Sequence, residues 1–89
     1  MAAILHGELT LANIPALLPQ ADTLLASLPV DLGEVSRADS AGLSFLLELT
    51  RRARARGLEL NIHNAPPQVL DLARFFGLDP VLRFTDTAQ

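Results

Sequence analysis

The chain has 89 residues, enough for one small domain, and 49% of them are hydrophobic, too many for a disordered chain. Leu fills 19 positions and Ala 13, while all 4 aromatics are Phe, so the expected core is aliphatic. The lack of cysteine excludes disulfides, a thiol nucleophile and a Cys-based zinc site, and a net charge of −3 argues against nucleic acid as a partner.

The longest stretch without a charged residue, Leu9 to Ala21, is broken by Asn13, Pro15, Pro19 and Gln20, so no membrane-inserting span is expected. The opening MAAILHGEL has no basic stretch ahead of an apolar run, which points away from a secretory signal and toward a cytosolic protein.

In chain order, Ile4 to Leu9 reads as a short strand. Asn13 to Leu28 follows with Ile14, Leu17, Leu18, Ala21, Leu24, Leu25 and Leu28 on one helical face, and Pro19 is expected to kink it or delay its start. Val30 to Val35 is a second strand, and Ser36 to Ser40 a loop into the strongest helix, Ala41 to Arg56. Gly57 ends that helix, with Arg51, Arg52, Arg54 and Arg56 where cations complement the dipole. Leu58, Leu60 and Ile62 alternate with polar residues as a third strand. Pro67 opens a helix whose stripe is Val69, Leu72, Ala73 and Phe76 and whose end is Gly77. Val81 to Phe84 completes the series as a strand, and Thr85 to Gln89 is expected to fray. This alternation predicts one α/β domain over 1–89, with a core at about 4–84 and a mainly parallel sheet carrying packed helices.

Catalysis finds little support. His6 and His63 lie in predicted strands, neither within ligand spacing of another donor, so no metal is expected. No glycine-rich phosphate loop occurs, and no cofactor is expected. Ser40, His63 and Asp39 can be written down as a triad, but nothing like a nucleophile elbow surrounds Ser40.

The informative junction is Asp39-Ser40-Ala41-Gly42, where a parallel strand's C-terminal end meets a helix N-terminus. Ser40 or Asp39 can be a plain N-cap there; alternatively, an exposed hydroxyl can be docked by a partner or phosphorylated. On the helix that follows, Leu43, Leu46, Leu47 and Thr50 are expected to cover the sheet. Phe45 and Leu49, with Gly42 beside them and Arg52 and Arg56 completing the row, form a candidate partner stripe, unless a neighbouring helix of the same domain covers them. Phe75 falls off the last helix's stripe and is a weaker candidate for exposure.

The stretch from Asp31 to Leu43, with its Asp-Leu, its Val35 and its Asp39-Ser40-Ala41-Gly42-Leu43, resembles the signature of STAS domains. Gly7-Glu8-Leu9-Thr10 matches a second landmark of that family, and the order of elements agrees from Ile4 to about Phe84. In one branch, the anti-sigma-factor antagonists, the resemblance implies that Ser40 is phosphorylated by an anti-sigma kinase and that the unmodified form binds that kinase. In the MlaB-like branch, which Val35 to Leu43, Leu46-Leu47 and the Arg-rich helix end favour, it implies a non-catalytic subunit. That subunit would sit on the cytoplasmic ATPase (MlaF-like) of an ABC complex moving phospholipids, peripheral to the inner membrane. The expected docking residues are Arg37, Asp39, Ser40, Ala41, Gly42, Phe45 and Leu49. STAS domains usually have a further strand ahead of the first one here. Either the start lies further upstream, or an uncovered sheet edge favours a homodimer.

Overall fold

The computed structural model describes residues 2–85; Met1 and residues 86–89 lie outside it, and with them most of the segment expected to fray. Four parallel strands form one sheet in the order β1 (Ala3–Leu9), β2 (Val30–Ala38), β3 (Asn61–His63), β4 (Arg83–Phe84). The helical elements are α1 (Ile14–Leu17), a 3-10 turn (Leu18–Gln20), α2 (Ala21–Leu25), α3 (Ser40–Ala55) and α4 (Pro67–Phe75). Neighbouring strands are consecutive and parallel, so right-handed crossovers carry the helices to the same face of the sheet. Both α2 and α4 pack against α3 there.

The core lies between that helical layer and the sheet. Leu5, Leu9, Val30, Leu32 and Ile62 are buried from the strands, and Leu43, Leu46, Leu49 and Val69 from the helices. On the opposite face Ile4, Asp31 and His63 stand in register across β1, β2 and β3 and are exposed or half-buried.

Local chemistry explains most element boundaries. Pro19 breaks the expected long helix into α1, the 3-10 turn and α2, because it has no backbone N–H to donate. Gly57 and Gly77, with φ of 71° and 70°, close α3 and α4 with matching caps. In α3, Leu58 N–H reaches the Ala53 carbonyl at 2.8 Å and Gly57 N–H that of Arg54 at 3.0 Å; in α4, Leu78 and Gly77 do the same with Ala73 and Arg74. This cap uses Leu58 as its final residue, so β3 begins at Asn61 rather than at Leu58.

Two boundaries depend on partners distant in sequence. Pairing with β1 carries β2 to Ala38, three residues past its expected end, leaving Asp39 alone as the connection to α3. Two register shifts, between Ile4 and His6 and between Gly7 and Glu8, put extra residues on β2. The burial spacing of β2 therefore changes along its length, with Val30, Leu32, Val35 and Ala38 inward.

The largest correction concerns α3. Phe45 and Leu49 are 2% and 0% exposed, so they are core residues and not a partner stripe. The α1–α2 segment packs on α3, and Asp22 of α2 pairs with Arg52 at 3.5 Å and Arg56 at 2.6 Å, the residues one and two turns beyond Leu49. Leu47, expected to cover the sheet, is instead 36% exposed. Phe75 is 82% exposed, whereas Phe76, expected on the buried stripe, is half exposed at the α4 C-cap.

These burials predict opposite outcomes for two phenylalanines. Phe45→Ala should cost about 3–5 kcal/mol in urea unfolding, and Phe75→Ala should stay within about 0.5 kcal/mol of the parent.

Candidate functional site

The junction after β2 is held by the Asp39 carboxylate, the N-cap of α3. Its Oδ1 accepts from Ala41 N–H at 2.9 Å and Gly42 N–H at 3.1 Å, two of the orphan donors of the first turn. Its Oδ2 accepts from Leu11 N–H at 3.1 Å, tying in the loop after β1. On the main chain, Asp39 N–H donates to the Leu9 carbonyl at 3.1 Å, and Leu43 N–H donates to the Asp39 carbonyl. A third element joins through Gln68 of α4, whose Oε1 accepts from Ala38 N–H at 3.0 Å.

These bonds set the charge state of the cap. The Leu11 N–H is the largest influence holding the Asp39 carboxyl below its ordinary 3.8, with Gly42, Ala41 and the Arg37 charge adding to it against partial desolvation. A carboxyl that titrates lower in the folded state gives its stabilisation in full above about pH 4 and loses it as pH falls through the folded value.

Gly42 is buried for a steric reason. A Cβ there would overlap the Leu9 carbonyl oxygen and lie 2.7 Å from Leu9 Cβ, so only glycine lets the first turn of α3 rest on the end of β1. Ala41 is half-buried beside it. Arg37 is exposed and reaches Glu8 at 3.4 Å, while Thr10 Oγ1 donates to the other Glu8 oxygen at 3.2 Å. This exposed pair aligns the ends of β1 and β2 and adds little to stability.

Ser40 is exposed as the first residue of α3. The structure thus gathers Arg37, Asp39, Ser40, Ala41 and Gly42 at one end of the sheet and removes Phe45 and Leu49 from the surface. Sequence reasoning missed Leu11, which is 71% exposed on the loop that Asp39 fastens. It also missed the seam that α3 does present, in which Ser40, Ser44, Leu47, Arg51 and Arg54 are all exposed. The alternating four- and three-residue spacing of that seam was the available signal. His63 is no partner for Ser40, since it is in register with Asp31 near the start of β2 while Ser40 follows Ala38 at the other end, roughly 20 Å away. Among the described residues no group of three or more His, Cys, Asp or Glu is placed to hold a metal.

Residues 4–83 match the family described as "Mlab, STAS domain". The chain belongs to this STAS family. Its fold is that of two solved structures. One, from Thermotoga maritima and described as a candidate anti-sigma factor antagonist, is 20% identical with a TM-score of 0.80, covering 94% of this chain and 78% of the other. The second is the anti-sigma factor antagonist SpoIIAA in its unphosphorylated form, 19% identical with a TM-score of 0.66, covering 96% of this chain and 77% of that one. No curated protein matches the chain. The Asp-Ser-x-Gly signature of this STAS chain now has a physical meaning: Asp39 caps, Ser40 is presented, and Gly42 allows the close approach.

Two measurements check this frame. In an NMR titration the Asp39 carboxyl should show a midpoint below 3.8, and the stability advantage of the parent over Asp39→Asn should shrink as pH falls from neutral to below that value. Gly42→Ala should destabilise the domain by at least about 1–3 kcal/mol in urea unfolding, the range of an overpacked core.

Proposed function

We propose that this STAS domain is a non-catalytic docking subunit that binds and supports the cytoplasmic ATPase of an ABC-type phospholipid-transport system. On this reading it is held at the inner membrane through that complex. The observation that carries the reading is the exposed Ser40 at the head of α3, presented on a frame fastened from β1, β2 and α4, with Leu11 exposed beside it. A rigid, mixed polar and apolar protrusion of this kind suits recognition by another protein, because little ordering cost is left at binding. The family match to the MlaB-type STAS domain supports the choice of partner. Reaction chemistry at Ser40 would need a base, and His63 lies at the other end of β2. No described helix is long and apolar enough to cross a membrane.

The second reading is a switch in which an anti-sigma kinase phosphorylates Ser40. The likeness to two anti-sigma factor antagonists favours it at the level of fold. A phosphate at Ser40 would add about −1.5 to −2 charges next to the Asp39 carboxylate and change the docking surface without entering the core.

One set of experiments separates the two. Ser40→Glu and Leu11→Ala should each weaken pull-down by the ATPase subunit about tenfold while the circular dichroism spectrum and melting curve stay unchanged. Full binding by both variants overturns the docking reading. A mass increase of one phosphate after incubation with an anti-sigma kinase and ATP, absent in Ser40→Ala, would establish the switch instead.

A further inference from the structure

Beyond Ser40, the outer seam of α3 continues through Ser44 and Leu47 to Arg51 and Arg54. Next to its distal half lies a groove of about 360 Å³, lined by Ser44, Leu47, Glu48, Arg51, Arg54 and Val81 among others. Leu47 and the half-buried Val81 give it an apolar floor, and the two guanidinium groups stand at its α3 side.

The charges at this end of α3 do not balance. Arg51 and Arg52 share the Glu48 carboxylate, with Arg51 bound through both nitrogens at 2.9 and 2.7 Å and Arg52 at 2.7 Å. Those contacts hold the Glu48 carboxyl down to about 2, so it stays ionised and fully engaged through ordinary pH. Arg52 and Arg56 share Asp22. Arg54 makes no ion pair among the described residues. Four guanidinium groups therefore meet two carboxylates, a local surplus of two positive charges on a chain whose net charge is −3. The C-terminal helix dipole offsets about half a charge of that surplus.

We propose that this groove is the second half of the docking surface and takes an acidic, amphipathic helical segment of the partner protein. One apolar side chain of that segment would pack on Leu47 and Val81, with its carboxylates facing Arg51 and Arg54. A helical occupant fits the seam, because residues alternately four and three apart form a row against which a second helix can pack. A protein segment suits the groove better than a lipid surface, because the cations flank a concave apolar floor and do not spread over a flat face. The inference rests on the docking reading above and adds a site and a charge preference that Ser40 alone does not supply.

The test uses the full chain and the ATPase subunit, with affinity measured across a range of salt concentrations. Arg54→Glu should weaken binding about tenfold and flatten the salt dependence, and Arg54→Gln should fall between it and the parent. Leu47→Ala should weaken binding about fivefold with the salt dependence unchanged. Replacing the facing carboxylate of the partner by Arg should restore binding to Arg54→Glu. Arg54 is exposed, so its variants should match the parent in circular dichroism and melting, and Leu47→Ala, at a position 36% exposed, should keep the parent spectrum with a small loss in melting temperature. If Ser40→Glu weakens binding and these variants do not, this inference fails while the docking reading stands; if none weakens it, both fail. Sedimentation of the parent chain with phosphatidylglycerol vesicles that is lost in Arg54→Glu would assign the surface to lipid and overturn the proposal. Self-association in light scattering that is lost in Arg54→Glu would assign it to a second copy and do the same.

Discussion

Three backbone N–H groups converge on one carboxylate, and one end of the sheet is organised around it. Asp39 accepts from Leu11 on one side and from Ala41 and Gly42 on the other, joining the loop after β1 to the first turn of α3. Either half of that arrangement alone would be an ordinary cap or an ordinary loop contact. Together they place Ser40 and Leu11 on a common surface with little freedom between them. Gly42 makes the geometry possible by letting the helix rest on the Leu9 backbone, and Gln68 fastens the same region from α4.

The sheet topology explains why this surface is available. With four parallel strands in sequential order and the helices on one face, every strand-to-helix junction falls at the same end of the sheet. The junction after β2 is the tightest, since β2 runs to Ala38 and one residue separates it from α3. A hydroxyl placed there is held by backbone geometry rather than by a long loop, and it stands outside the core.

Crowding around α3 decides the rest. The sheet, α2 and α4 surround most of the helix, so the Leu43–Leu46–Thr50 row and the Phe45–Leu49 row are both buried. The exposed residues of α3 are the Ser40, Ser44, Leu47, Arg51 and Arg54 seam, with Ala55 at the helix end. Arg52 and Arg56, on the Phe45–Leu49 row, pair with Asp22 and tie α3 to α2. Among the described residues the unpaired cation therefore lies one row over, at Arg54, next to Arg51, which shares Glu48 with Arg52.

Features governed by neighbouring residues were legible from the chain itself. The β-α alternation, the break at Pro19, the glycine stops at positions 57 and 77, and the Asp-Ser-x-Gly helix start are all properties of backbone conformation within a few residues. The choice of which side of α3 meets solvent was not legible, because two apolar rows on one helix are compatible with several arrangements of neighbours. It took the α1–α2 segment, packed on α3 and tied to it by Asp22 across 30 residues to Arg52, to close that side of the helix. The reach of β2 to Ala38 and the exposure of Leu47 likewise followed from packing between distant segments. Local sequence thus determined the elements and the serine at their junction; tertiary contact alone decided which surface that serine shares, since burial is a property of the assembled layers and not of any one helix.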